Sequence, residues 1–390
     1  MKKLDYIDGM KGLGAWMVYL CHFVYAFYYG AYSLNPDHAH TESGLELAIG
    51  KTPFNFFYNG NAAVCMFLVF SGFVLCLSYF RTRNKERLKK AARRRYIRLM
   101  PMILYVNVLV FLLMSFGLYR NKEAAVLTGS EAWLGGFHRF APEFPGMLFE
   151  SLIGCFLQGS NAYNGVLWTI PYLFSGALVV YLAAYLVGEN PLRYAAYGAM
   201  LLVSLKTDVY FAAIFLGFVL CDFYSTQKWL VNLYERIPPV PALVFVLGFY
   251  LSSYPSFGEA LPGTIYRFLP PSYAVIYHIA GAFFLTAGVL GCKTLQRFFS
   301  GKVFRYLGKI SFSLYLLHFP VIASFSCWFF LEFSKRLGYH LTAGLDFLLT
   351  TALVLAVSTL SWKYLEPLGQ RLEDLAAGIR KKKQKNGGAA

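Results

Sequence analysis

Long uncharged apolar stretches alternate with short polar ones along this chain. A helix needs about 20 predominantly apolar residues to cross a bilayer. Windows of that order recur at residues 12–36, 54–80, 99–119, 151–188, 237–258, 268–292 and 310–331. Two more are interrupted: 191–222 is broken by Lys206-Thr207-Asp208 into two spans, and 341–362 carries Asp346 near its start. The 151–188 window is too long for one helix. Its span is read from about Gly165, with residues 146–157 as a short re-entrant or interfacial piece. The pattern predicts an all-α, polytopic membrane helix bundle of about ten transmembrane helices.

Charge orients this set. Residues 81–98 hold ten Lys/Arg against Glu86 alone, and Lys293, Arg297, Lys302, Arg305 and Lys309 make a second basic loop. Arg371, Arg380, Lys381, Lys382, Lys383 and Lys385 make a third basic segment. Basic loops stay cytoplasmic. Ten spans with cytoplasmic N- and C-termini put all three on one side, and leave the mixed or acidic loops 37–46, 122–150, 255–267 and 332–340 outside. Residues 1–370 are thus expected to form the transmembrane domain, and 371–390 a basic cytoplasmic tail.

Composition agrees with a multi-pass membrane protein in contact with the lipid bilayer, and the plasma (inner) membrane is the expected location. Hydrophobic residues make up 57% and charged ones 14%, against about a quarter charged in soluble domains. The net charge of +16 then belongs at the inner membrane face, and a nucleic-acid partner is not expected. The seven cysteines lie in or beside apolar runs, as small hydrophobes do. The first apolar run, from near Met10, is too long for a removable signal peptide and lacks a cleavage site. No internal repeat is evident.

Four stretches carry candidate chemistry. In the first helix, Asp8 suits an N-cap, and Lys11 and His22 are eleven positions apart, close to three turns. They share a face, about 16 Å apart along the axis, with Lys11 at the cytoplasmic lip and His22 near mid-bilayer. An intramembrane His is a functional candidate, although a neutral His also serves as polar glue between helices. His278 is a similar isolated case without an assigned role. Second, Arg95 and Arg98 in Arg93-Arg94-Arg95-Tyr96-Ile97-Arg98 are helical neighbours, able to clamp phosphates bidentately or to anchor on anionic lipid. Third, Pro320 loosens the helix beside His318, and freed carbonyls at membrane depth must face protein or a wet cavity. Fourth, Asn164-Gly165-Val166-Leu167-Trp168-Thr169-Ile170-Pro171 opens a span with Trp168 at interface level.

Together with Val69-Phe70-Ser71-Gly72-Phe73 and Tyr364-Leu365-Glu366-Pro367, these stretches resemble the membrane-bound acyltransferase 3 family, in the family's order from Asp5 to Glu366. The resemblance implies transfer of an acyl group, usually acetyl from acetyl-CoA, to a hydroxyl of a saccharide, glycolipid or small hydrophobic acceptor. Bacterial surface polysaccharide is the commonest. It makes His22 the catalytic residue and Lys11, Arg95 and Arg98 the coenzyme-binding ones. Ser71, Asn164, Trp168, Tyr315 and His318 are the substrate-pocket candidates, and no metal is implied. Two departures stand out. Lys11 occupies a position usually held by Arg, and Leu173 one usually held by Glu; Glu150 is a carboxylate able to substitute for the latter.

The expected mechanism has acyl-CoA approach from the cytoplasm, its phosphates at Lys11, Arg95 and Arg98. A neutral His22 takes the proton from an acceptor hydroxyl entering from outside, with a covalent acyl-histidine as the variant route. A transporter or flippase is the rival from another class, disfavoured by the lack of an inverted repeat and by few intramembrane carboxylates. A non-catalytic scaffold or sensor of the same fold is the third reading, suggested by Leu173.

Overall fold

The computed structural model describes residues 4–256, 261–369, 371–372 and 375. The tail residues Arg380, Lys381, Lys382, Lys383 and Lys385 lie outside the described residues. Among the described residues the regular structure is all helical. The larger helices are α1 (Asp5–Phe27), α2 (Gly60–Thr82), α3 (Lys85–Ser115), α4 (Phe144–Leu157), α5 (Gly165–Val187), α6 (Arg193–Thr207), α7 (Tyr210–Thr226), α8 (Lys228–Arg236), α9 (Pro239–Ser252), α10 (Pro271–Gly291), α11 (Lys302–Leu337) and α12 (Tyr339–Gly369).

Six of these, α2, α3, α5, α10, α11 and α12, are long and apolar enough to cross a membrane. The pair α7–α8, bent by 92°, makes a seventh if counted as one span. This is a multi-pass membrane protein. The four other apolar windows hold α1, α6, α7 and α9. The piece expected to be re-entrant is α4, a short apolar helix passing through a π-helical turn at Glu150–Gly154.

Helix α1 stands apart from the six because Asp5, Asp8 and Lys11 occupy its first turns. Its neighbours are protein: fifteen of its 23 residues are buried, so it need not be apolar all round. Small residues let the backbones meet. A Cβ on Gly12 would overlap the backbone of Gly308 in α11, and one on Gly72 would overlap Ile214 in α7. Close crossings at small residues are how membrane helices gain packing without a hydrophobic drive. The Gly12–Gly308 crossing brings Lys11 of α1 into the lining of one cavity with Gly308 and Lys309 of α11.

The basic stretch of residues 85–98 is the N-terminal part of α3, a 31-residue helix of about 46 Å. Asn84 caps it, its side chain accepting from the Glu86 N–H at 3.0 Å. All seven cysteines are free, and six are buried.

Buried carboxyl groups are more numerous than the apolar pattern suggests, and each has partners. Asp222 is fully buried and takes Arg193 Nε at 2.6 Å. Asp346 is fully buried and accepts from Ser326 and, at 2.8 Å, from Thr350. His278 ties α10 to the start of α2 through Asn61 and to the segment just past α9 through the Tyr254 carbonyl, the polar-glue role.

Candidate active site

Two histidines from distant parts of the chain meet inside the bundle. His22 Nδ1 lies 2.8 Å from His318 Nε2, and His318 Nδ1 lies 2.9 Å from the Leu314 carbonyl oxygen, one turn back in α11. A carbonyl only accepts, so His318 Nδ1 carries hydrogen. In a neutral ring its Nε2 is then the acceptor, so His22 Nδ1–H donates to it. The lone pair of His22 is thereby left on Nε2. The backbone of α11 sets the tautomer of a residue on α1, as an orienting partner sets a catalytic imidazole.

Pro320 explains the local shape of α11. Lacking an N–H, it cannot bond the carbonyl four residues earlier, that of Leu316. Asn164 Nδ2 supplies the missing donor at 2.8 Å. An unpaired carbonyl at membrane depth costs several kcal/mol, so Asn164 holds this kinked segment together. Two residues past Pro320 the helix loosens into a π-turn at Ile322–Ser326. Asn164, expected to face substrate, thus has a supporting contact with the helix that carries His318. Glu150 fixes the loop that presents Asn164, accepting from Ser160 Oγ (3.0 Å) and from the N–H groups of Ala162 (2.9 Å) and Tyr163 (3.0 Å). Its oxygens are committed to that loop.

A cavity of about 830 Å³ has Lys11, Ser71, Arg95, Arg98, Lys309 and Tyr315 in its lining, and neither His22 nor His318 is among its lining residues. Ligand sites typically span 300–1,000 Å³. Five of the residues singled out from the sequence (Lys11, Ser71, Arg95, Arg98 and Tyr315) therefore share one chamber. Tyr315 lines it, and its hydroxyl bonds Thr169 Oγ1 (2.9 Å) and the Val166 carbonyl (2.9 Å). The His318 ring follows at 6.2 Å between centroids, with His22 beyond. Trp168 is not in the lining; it packs on Tyr172 and Tyr210.

Arg95 donates through Nε (2.9 Å) and Nη2 (2.7 Å) to the carbonyl of Leu173. Leu173 lies in a π-helical turn, Tyr172–Gly176. The position expected to offer a carboxylate therefore offers a backbone oxygen, which orients the guanidinium and leaves three of its five N–H donors. Glu366 also lines the cavity, held by Ser313 Oγ at 2.6 Å.

Away from the cavity, His22 faces an aromatic group that the sequence did not single out. Trp133 lies 5.1 Å from its ring, Phe319 5.7 Å and Tyr25 6.4 Å between centroids. Trp133 and Phe137 are half-buried and belong to the segment between α3 and α4. No motif or periodicity marks Trp133.

The family model described as "Acyltransferase domain" matches residues 4–363. Among curated proteins, the O-acetyltransferase PaAT-1 of Phomopsis amygdali is 23% identical over 366 residues, covering 82% of this chain and 72% of that protein. Acyltransferase R4 of a Phoma species is 22% identical, covering 82% and 83%. Acyltransferase clz18 of Cochliobolus lunatus is 21% identical, covering 96% and 97%. No solved structure matches the chain at a significant level. The three relatives are fungal, so a bacterial surface setting draws no support from them.

Proposed function

This chain belongs to the acyltransferase 3 family and is an enzyme that transfers acyl groups, and from that premise we propose that it moves acetyl from cytoplasmic acetyl-CoA to an acceptor hydroxyl with His22 as general base. One observation supports the reading: the His22–His318 pair lies next to Tyr315, and Tyr315 shares the lining of one cavity with Lys11, Arg95 and Arg98.

In this reading the coenzyme phosphates rest on Lys11, Arg95 and Arg98, and the thioester passes along the cavity toward Tyr315. The acceptor oxygen attacks the thioester carbonyl carbon while His22 Nε2 takes its proton. The tetrahedral centre collapses, the C–S bond breaks, and the coenzyme sulfur leaves with the proton returned from His22 Nε2. His318 positions the imidazole and shares the transient positive charge through the Nδ1–H bond. A direct transfer needs no second nucleophile, which favours it over an acyl-histidine. General-base action of this kind is worth about 10²–10⁴-fold.

The acceptor is a hydroxyl-bearing ring compound, a saccharide or glycolipid or a smaller ring alcohol, approaching from the outer face. Trp133 supports this, since an indole beside the base gives a ring's C–H face a flat surface. The proposed topology is ten spans with both termini in the cytoplasm of a plasma-membrane protein. The basic start of α3 and the basic loop before α11 face inward in that arrangement, as cytoplasmic basic loops do.

The test is thiol release and product formation by the purified full-length protein in nanodiscs, given acetyl-CoA and a panel of sugar and ring-alcohol acceptors. Acceptor-dependent release of coenzyme thiol is expected. Failure to bind acetyl-CoA at all contradicts the donor assignment.

A further inference from the structure

The side of α11 that lines the cavity continues beyond it. Gly308, Lys309, Ser311, Phe312 and Tyr315 are in the lining. His318 follows Ser311 by seven residues and Tyr315 by three, so it stands on the same side of the helix. It is fully buried and absent from the lining. Helix α1 shows the same break: Asp8 and Lys11 line the cavity, and His22, three turns further along the face of Lys11, does not.

Residues of three helices meet at this break. The Tyr315 ring is buried and packs edge-on to Phe67 of α2, at 5.7 Å between centroids. Phe67 and Thr169 of α5 line the cavity with it. The Tyr315 hydroxyl is held from two sides. The Val166 carbonyl only accepts, so the tyrosine hydrogen goes to it at 2.9 Å, and the Thr169 hydroxyl, 2.9 Å away, donates to the tyrosine oxygen. Moving Tyr315 breaks both bonds at membrane depth, where an unpaired polar group is costly. The closed position is therefore the resting one.

His22 differs from His318 in one respect. It is half-buried, yet it is not part of the lining. Its exposed surface therefore lies away from this cavity, and the half-buried Trp133 ring is 5.1 Å from the imidazole. A base with exposed surface can activate water as it activates an alcohol. With a thioester in reach, water attacks the carbonyl carbon, the C–S bond breaks, and His22 Nε2 passes the proton to the departing sulfur. The products are acetate, a proton and the coenzyme thiol, and the acyl group is lost. Enzymes avoid such losses by closing off the reacting group.

We propose that Tyr315 is a specificity-determining residue that bars the donor thioester from His22 in the acceptor-free protein, with Thr169 and the Val166 carbonyl as its latch. This rests on the coenzyme reading of the cavity.

Acetyl-CoA binding and acceptor-free release of coenzyme thiol are measured on the full-length protein in nanodiscs. Wild type is compared with Tyr315→Ala, Tyr315→Phe, Thr169→Val, the double variant Tyr315→Phe/Thr169→Val, and Tyr315→Ala combined with His22→Ala. Tyr315→Ala should raise acceptor-free hydrolysis about tenfold, the order expected for two lost hydrogen bonds. Tyr315→Phe and Thr169→Val should each raise it severalfold, and their combination should add little, because both break the same latch. Acetyl-CoA affinity within about twofold of wild type shows that these variants are folded. His22→Ala should remove the gain. A role in packing alone lowers activity and does not produce a gain. Hydrolysis that stays level or falls in both Tyr315 variants while acetyl-CoA still binds overturns the barrier, and so does a gain that survives His22→Ala. Absence of acetyl-CoA binding by wild type overturns the coenzyme reading, and the barrier with it.

Discussion

His22 Nδ1 and His318 Nε2 meet at 2.8 Å across the contact between α1 and α11, although 296 positions separate them in the chain. Because His318 Nδ1 is committed to the Leu314 carbonyl at 2.9 Å, the direction of hydrogen donation through the pair is fixed. The free lone pair falls on His22 Nε2, the atom to which the proposed general-base role assigns the acceptor proton.

The first prediction concerns that direction. His318→Phe keeps an aromatic ring in place but removes the acceptor for His22 Nδ1–H. Turnover should fall by at least about 10²-fold, the lower end of a general base's contribution. The KM for acetyl-CoA should change little, because His318 does not line the cavity proposed for the donor. The pH–rate profile should also shift, since a base without its orienting partner titrates differently. An unchanged profile together with unchanged turnover would show the pair to be structural glue.

A second prediction follows from Pro320. Asn164→Ala leaves the Leu316 carbonyl without a donor and should cost about 1–3 kcal/mol. Pro320→Ala restores a backbone N–H that can reach the same carbonyl, so in that background Asn164→Ala should cost much less. A double-mutant cycle by thermal unfolding in nanodiscs reads the difference as a coupling energy. Additive effects would break the link between the two residues.

Part of this site was legible in the sequence. The eleven-residue interval put Lys11 and His22 on one helical face, and the three-residue interval paired Arg95 with Arg98; those intervals are set by helix geometry alone. Pro320 announced a freed carbonyl, but not that Asn164 would satisfy it. The His22–His318 bond, the Tyr315–Thr169 bond and Trp133 beside His22 join segments more than a hundred residues apart, and no local period encodes them. Leu173 looked like a missing carboxylate. Its contribution to Arg95 is a backbone oxygen, which side-chain identity does not reveal. The apolar pattern located every large helix but α8, which lies between two windows, and it underestimated the buried carboxyl groups, because Asp222 and Asp346 are compensated by partners distant in sequence.

A third prediction concerns acidity outside the spans. His138 Nε2 donates to the Tyr163 carbonyl at 2.9 Å, and its buried Nδ1 has no hydrogen-bond partner. Burial holds this imidazole below its ordinary value of 6.5. The opened loop binds a proton more readily than the closed one, so closure is fully stable above about pH 6.5 and weakens as pH falls toward the lowered value. Hydrogen exchange in residues 130–143, corrected for intrinsic rates, should accelerate at about pH 5 relative to about pH 7.5. His138→Gln should flatten that dependence; a slope that persists in the variant would place its origin elsewhere.

A fourth prediction concerns the outer face. Trp133→Ala should lower kcat/KM for a ring-alcohol acceptor by about tenfold, the order expected for one aromatic contact, while hydrolysis of acetyl-CoA by water stays near wild type. Equal loss of both activities would show that Trp133 supports His22 and does not meet the acceptor.

General-base catalysis by His22 is tested most directly by His22→Ala, assayed for acyl transfer and, on the same preparation, for coenzyme A binding. Turnover should fall by at least about 10²-fold, with coenzyme affinity within about twofold of wild type. Near-normal turnover in that variant would contradict the role given to this imidazole.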